Sequence, residues 1–275
     1  VQANRKPVIV NADDFAFSEG ASQAIAQLAG MGRISATSAM VLSPRWSGDA
    51  ALLQPLRGRI DVGLHLDWTS PFAVAAGHGM SLGAAMLRSL AGGFDRAQVA
   101  GAIERQLDAF EAQWKAAPDH VDGHQHVHQF AGIRTPLLDA LNRRYGAGMG
   151  PYLRISRPMG AGIGIKGRVV AAMGAGALQR ELRRRERLGA TPLLGMYGFD
   201  GSAADYEGLA QRWLQDAPAG AVLMCHPATG SAGDDPIAAA RLREFEFWRS
   251  DAASDCLARA NAVPARGPVP GPIVR

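Results

Sequence analysis

Short apolar runs that close on polar residues recur along this 275-residue chain with helical stretches between them, and that alternation restricts the fold more than any other feature. The runs are 7–12, 36–42, 61–68, 120–128, 152–156, 193–199 and 221–227. The first, Pro7-Val8-Ile9-Val10-Asn11-Ala12, delivers Asp13 and Asp14 at its end and reads as a strand buried on both faces. Between runs, apolar residues return at helical spacing. Ala21, Ile25 and Leu28 follow a Ser18 cap, and Val99, Ile103, Leu107, Phe110 and Trp114 follow Asp95 and Gln98. This last stripe reads as core rather than as a cofactor site, and a long helix following a glycine-rich stretch after 152–156 is expected to run to about Leu188. Alternation with no linker-like break predicts one α/β domain over 1–275 built on a parallel sheet, either open and doubly wound or closed as a barrel.

With 47% hydrophobic residues the chain can build a large core. Its net charge is only +4, and the basic excess is concentrated at 180–187. There, interleaved Glu181 and Glu186 and the lack of aromatic residues describe a solvated helix face, which argues against a nucleic-acid partner. Two cysteines, Cys225 and Cys256, are too few for a disulfide framework and suit a reducing, cytoplasmic setting. No apolar run approaches the roughly 20 residues that span a bilayer, although a leader removed ahead of Val1 stays compatible with these residues. Residues 69–94 carry Pro71 and five glycines and are expected to form a lid or substrate loop. The Pro-rich residues 261–275 are expected to fray. A homo-oligomer is compatible with all of this.

Four of the seven histidines, with Asp122, fall in His120-Val121-Asp122-Gly123-His124-Gln125-His126-Val127-His128. In an extended strand His120, Asp122, His124, His126 and His128 would share one face, which points to a metal-centred site. Other polar residues gather at predicted strand ends: Asp13 and Asp14, His65 and Asp67, Arg154, and His226. Sites in parallel α/β folds lie at that edge, so a single site is the economical reading. One carboxylate and two imidazoles would leave an open position on a divalent ion for water. A regular strand cannot aim both Asp13 and Asp14 at one ion, so one of them is left to take a proton. His226 suits a general acid. Spacing does not decide which clustered histidine binds. No Gly-x-Ser-x-Gly elbow, His-Glu-x-x-His helix or P-loop is present, and the G-x-G-x-x-G match at 162–167 lacks a suitably placed acidic partner.

Val10-Asn11-Ala12-Asp13-Asp14-Phe15, Gly63-Leu64-His65, the His-rich run and Cys225-His226-Pro227 resemble, in order, the signatures of the YdjC-like carbohydrate deacetylases. That family includes chito-oligosaccharide deacetylases and deacetylases associated with hopanoid biosynthesis. The resemblance implies a distorted, TIM-barrel-like (β/α) barrel of about seven parallel strands and a metal-dependent hydrolase acting on an N-acetylated sugar, free, oligomeric or lipid-linked. Matched motif by motif, Asp14, His65 and His124 would hold one divalent ion, Zn2+ or Mg2+. Asp13 would be the base, His226 would assist departure of the amine, and Arg154 would orient Asp13 or substrate. His126 and His128 would lie behind the metal ligands or face substrate, while Trp68 and Phe72 would stack on a sugar ring or anchor the loop. Ala16 stands where the family commonly has Gly. A catalytically silent glycan-binding protein and a metal-dependent esterase are the alternatives.

Overall fold

Val8, Ile9 and Val10 lie in a strand flanked by strands on both sides, which is why its sequence is a continuous apolar run. The structure, a computed structural model, describes residues 5–230 and 235–268. Among them are the strands β1 (Lys6–Phe15), β2 (Ala36–Ala39), β3 (Asp61–Leu66), β4 (His120–Gly123), β5 (Tyr152–Arg154), β6 (Gly189–Ala190), β7 (Leu193–Leu194), β8 (Val222–Cys225) and β9 (Ala262–Pro264). Every ladder is parallel, and the order is β6-β5-β4-β3-β2-β1-β8-β7, with β9 beside the start of β1.

Residues 189–194 bring the two ends of this sheet together. β6 pairs with β5, β7 pairs with β8, and the N–H and carbonyl of Leu193 bond the Arg157 carbonyl and the Met159 N–H in the continuation of β5. Pro192 has no N–H to donate, so this stave of the barrel is interrupted rather than continuous. The result is the expected distorted (β/α) barrel, with helices packed around it.

Helix Arg96–Trp114 shows how sequence spacing becomes packing. Val99, Ile103, Leu107, Phe110 and Trp114 all face the core, and Trp46 stacks on Phe110 with ring centroids 5.5 Å apart. Each fully buried side chain of this size contributes about 1.5–3 kcal/mol. Gln106, buried on the same face, accepts a bond from the Asp67 N–H at 2.8 Å and donates to the Asp67 carbonyl at 3.2 Å, fixing the chain where it leaves β3.

Three expectations change. The long helix expected to run to Leu188 is two helices, Ile165–Ala172 and Ala175–Arg184, separated at Gly174, whose φ of 139° favours glycine and whose α-carbon lies against the Gln129 carbonyl. The 261–275 tail does not fray from its start: 262–264 form β9, and the Arg266 guanidinium donates to Asp61 at 2.8 Å. Residues 269–275 lie outside the described residues. The His-rich run also departs from expectation, with consequences for the site.

Candidate metal centre

Only His120–Gly123 of the His-rich run is strand; His124–Gln129 is a 3-10 turn in which Gln125 and His126 have φ of 51° and 63°. The single-face arrangement expected of 120–128 is therefore wrong, because the backbone rotates after Gly123 and sends successive rings in different directions. His120 stacks on Tyr152 inside the barrel and bonds Ser38 Oγ at 3.0 Å. His124 reaches Asp14. His126 Nδ1 meets Ser156 Oγ at 2.9 Å, and His128 is buried with Nε2 donating to the Arg154 carbonyl at 2.8 Å. His128 is thus a structural histidine, not a substrate-facing one.

β1 ends irregularly too. Its register with β2 slips between Ala12 and Phe15, and Asp14 and Ala16 have φ of 70° and 68°. A regular strand would point Asp13 and Asp14 to opposite faces; this irregular end brings both carboxylates to the site. Ala16 takes a left-handed conformation that glycine adopts at no steric cost, and its N–H donates to Ser22 Oγ at 3.0 Å.

Asp14, His65 and His124 converge. Asp14 Oδ1 lies 3.4 Å from His65 Nε2 and 3.2 Å from His124 Nδ1, and one donor atom from each residue falls within 4.8 Å of the others. His65 is oriented from behind: its Nδ1 sits 2.6 Å from Asp122 Oδ1, which leaves Nε2 for the ion in the carboxylate–histidine arrangement common at metal sites. Burial would depress the His65 pKa, but Asp122 and Asp14 outweigh it and push it up to about 10, so loading an ion would displace a proton. Burial would raise Asp14, yet Arg241, His124 and His65 hold it well below the usual carboxylate range. Asp122 is likewise kept ionised against burial by Arg154 and His65. A second trio, Asp13, His65 and Asp122, is also close. Its two carboxylates already hold the Arg154 guanidinium, 2.7 Å from Asp13 and 3.1 Å from Asp122, so it does not fit an ion.

Asp13 is gripped by Arg154 through two bonds, Nη1 to Oδ1 at 2.7 Å and Nη2 to Oδ2 at 2.9 Å, and Asn11 Nδ2 donates to Oδ1 at 2.6 Å. His226 Nε2 stands 3.8 Å from Asp13 Oδ2, with its ring edge-on to Phe199. Asn11 Nδ2 also donates to Ser38 Oγ at 2.9 Å, and Ser38 donates to Asp122 Oδ2 at 2.6 Å, so one polar network joins Asp13 to the support of His65. Sequence reasoning missed Asp122, Ser38 and Asn11 as supports and missed Arg241, whose Nη2 donates to Asp14 Oδ2 at 2.7 Å. Asp122 had a signal, its place in the His-rich run; Arg241, in a charged helix, had none.

The loop residues divide. Trp68 is 2% exposed and packs edge-on to His78, so it anchors the loop instead of offering a face to a sugar. Phe72 is half-buried, edge-on to Phe17. Residues 69–94 hold two helices, Pro71–Ala75 and Leu82–Ala91.

Residues 7–259 match the family described as YdjC-like protein. The chain belongs to that family. Among curated relatives it is 28% identical over 243 residues to a chitooligosaccharide deacetylase of Serratia marcescens, covering 81% of this chain and 82% of the relative. It is 30% identical over 154 residues to a human carbohydrate deacetylase, covering 52% of this chain and 47% of the relative. Its fold matches the crystal structure of an Enterococcus faecalis V583 protein described as a candidate for cellobiose-phosphate cleavage, with a TM-score of 0.69, 19% identity and coverage of 96% of this chain and 98% of that one. Among the described residues no helix is long and apolar enough to cross a membrane, and both cysteines are free and buried.

Proposed function

We propose that this YdjC-like protein is a metal-dependent carbohydrate deacetylase that hydrolyses the acetamide of an N-acetylglucosamine-type sugar, and that the convergence of Asp14, His65 and His124 is the observation that carries this reading. The Serratia and human relatives, both described as deacetylases, support the substrate class. One carboxylate and two imidazoles suit zinc better than magnesium, which prefers oxygen donors. A divalent ion held there supplies Lewis acidity to an acyl oxygen and to a water molecule.

The chain's own groups supply the proton transfers. Asp13, fixed in one orientation by Arg154 and Asn11, takes the proton from the attacking water. His226, facing the same space 3.8 Å from Asp13, delivers a proton to the departing amine nitrogen. Arg154 keeps its positive charge, since Asp122 and Asp13 outweigh the effect of burial, and so stays paired with Asp13 beside the site. In this reading His126, bonded through Nδ1 to Ser156 Oγ, and Phe72, edge-on to Phe17, contact the sugar.

The test is acetate release from N-acetylglucosamine oligomers, abolished by a chelator and restored by added zinc or magnesium. Sugar binding without acetate release would assign the chain to glycan recognition. Release from O-acetylated esters alone would make it an esterase.

A further inference from the structure

The helix Ala238–Arg249 carries two buried charges three residues apart, Arg241 and Glu244, which the periodicity of a helix places on one face. Neither contributes an atom to the reaction described above. Each touches a different half of the site. Arg241 donates from Nη2 to Asp14 Oδ2 at 2.7 Å, from Nε to Asp235 at 2.6 Å, and from Nη1 to the His226 carbonyl at 3.5 Å. Glu244 accepts the backbone N–H of His226 at Oε2, 2.5 Å away, and the hydroxyl of Tyr197 at Oε1, 2.7 Å away. The Arg241 carbonyl also accepts the N–H of Ala228 at 3.2 Å. The backbone over 226–228 is thus held from the helix at three points, and the metal-side carboxylate is held from the same turn.

We propose that this helix is a positioning element that sets the metal carboxylate and the proton donor relative to each other, with Arg241 leaving Asp14 a single free oxygen and Glu244 fixing the backbone under His226. The geometry gives each contact a distinct consequence. With Oδ2 engaged by a guanidinium, Asp14 offers the ion only Oδ1, the oxygen that faces His65 and His124. A carboxylate freed of that contact could supply both oxygens and raise the coordination number, which closes the open position that a hydrolytic site requires. On the other side, the His226 ring lies edge-on to Phe199, and Phe199 packs at a tilt against Tyr197, whose hydroxyl is the second donor to Glu244. Glu244 therefore ties the backbone of His226 and the aromatic wall behind its ring to one carboxylate. Buried charges are costly to leave unpaired, and the partners that satisfy this pair are Asp14 and the backbone of His226.

The proposal rests on the deacetylase reading and is tested on the full chain. Cobalt(II) is titrated into wild type, Arg241→Gln, Arg241→Lys, Glu244→Ala and Glu244→Gln, with visible absorption reporting coordination and acetate release reporting turnover. Arg241→Gln should weaken the cobalt d–d bands severalfold, the sign of a higher coordination number, whereas both Glu244 variants should keep the wild-type spectrum. Glu244→Ala should lower kcat at least tenfold with KM within threefold, and Glu244→Gln, which still offers an acceptor to the His226 N–H, should restore most of that rate. Should Arg241→Gln fail to fold, Arg241→Lys gives the same reading, because one ammonium cannot hold Asp14, Asp235 and the His226 carbonyl together. Wild-type protein that binds cobalt and releases acetate, with variants matching it in spectrum and rate, overturns the positioning role alone. Wild-type protein that takes up no cobalt overturns the metal-dependent reading and this inference with it.

Discussion

The end of β1 and the turn after β4 solve the same problem in opposite ways. At β1 two neighbouring carboxylates, which a regular strand would separate, are brought to one site by left-handed backbone at Asp14 and Ala16. After β4, alternating polar residues that a regular strand would gather are dispersed by left-handed backbone at Gln125 and His126. His124 alone of the rings beyond Gly123 joins the ligand group. Irregular backbone, and not the number of histidines, decides how many ligands a site has.

The sharpest way to break this comparison is at the aspartates. Asp13→Asn should lower kcat about a thousandfold with metal content unchanged, while Asp14→Asn should lose the ion; elemental analysis beside acetate release reads both. If the two variants behaved alike, the division of labour between adjacent carboxylates would be mistaken.

The histidines come next. His124→Ala should weaken zinc binding by more than the roughly 10–100-fold that outer partners of a metal site are worth, and Asp122→Asn, which removes the support of His65, should fall within that range. His126→Ala should cost less than about tenfold, within the lower limit for such partners. Competition titration with a zinc indicator orders the three. Equal losses for His124 and His126 would mean that the turn after β4 does not sort them.

Stability against pH tests a buried member of the run, His128. Burial beside Arg154 lowers the His128 pKa to about 4 from its ordinary 6.5. Between those values the unfolded chain binds more protons than the folded one, so His128 destabilises the fold as pH falls from about 6.5 toward 4. By pH 5 the loss should be on the order of 2 kcal/mol, seen as a falling urea midpoint, and His128→Asn should flatten that slope. His65, raised to about 10, acts in the other window and loses its contribution only above pH 6.5. A slope unchanged by His128→Asn would place the acid sensitivity elsewhere.

The smallest effect belongs to Ala16. Ala16→Gly relieves the left-handed strain and should raise stability by about 1 kcal/mol without changing turnover, measured by thermal melting. A loss of activity would show that the methyl group helps to hold Asp14.

The barrel was legible because burial on both faces forces a parallel strand to be apolar throughout, and 7–12 and 221–227 have that pattern. Helix Arg96–Trp114 was legible because its core stripe follows helical spacing. Trp68 and His128 were not, since a tryptophan near a strand end and a histidine beside other histidines look the same in sequence whether they face a ligand or the core. Their burial is set by contacts with other segments, His78 in the 69–94 loop and Arg154 on β5.

The alternation of strand and helix, the edge where polar residues collect and the residue types available for a metal centre follow from periodicity and side-chain chemistry alone, and are readable in the amino-acid order. That Asp122 supports His65, that Arg154 grips Asp13 and that Arg241 and Glu244 reach Asp14 and His226 from a single helix emerges only in the folded chain. Those contacts join residues 57, 141, 227 and 18 positions apart. No local pattern encodes such pairs; they exist because closing the sheet brings the carboxyl ends of its strands around one axis.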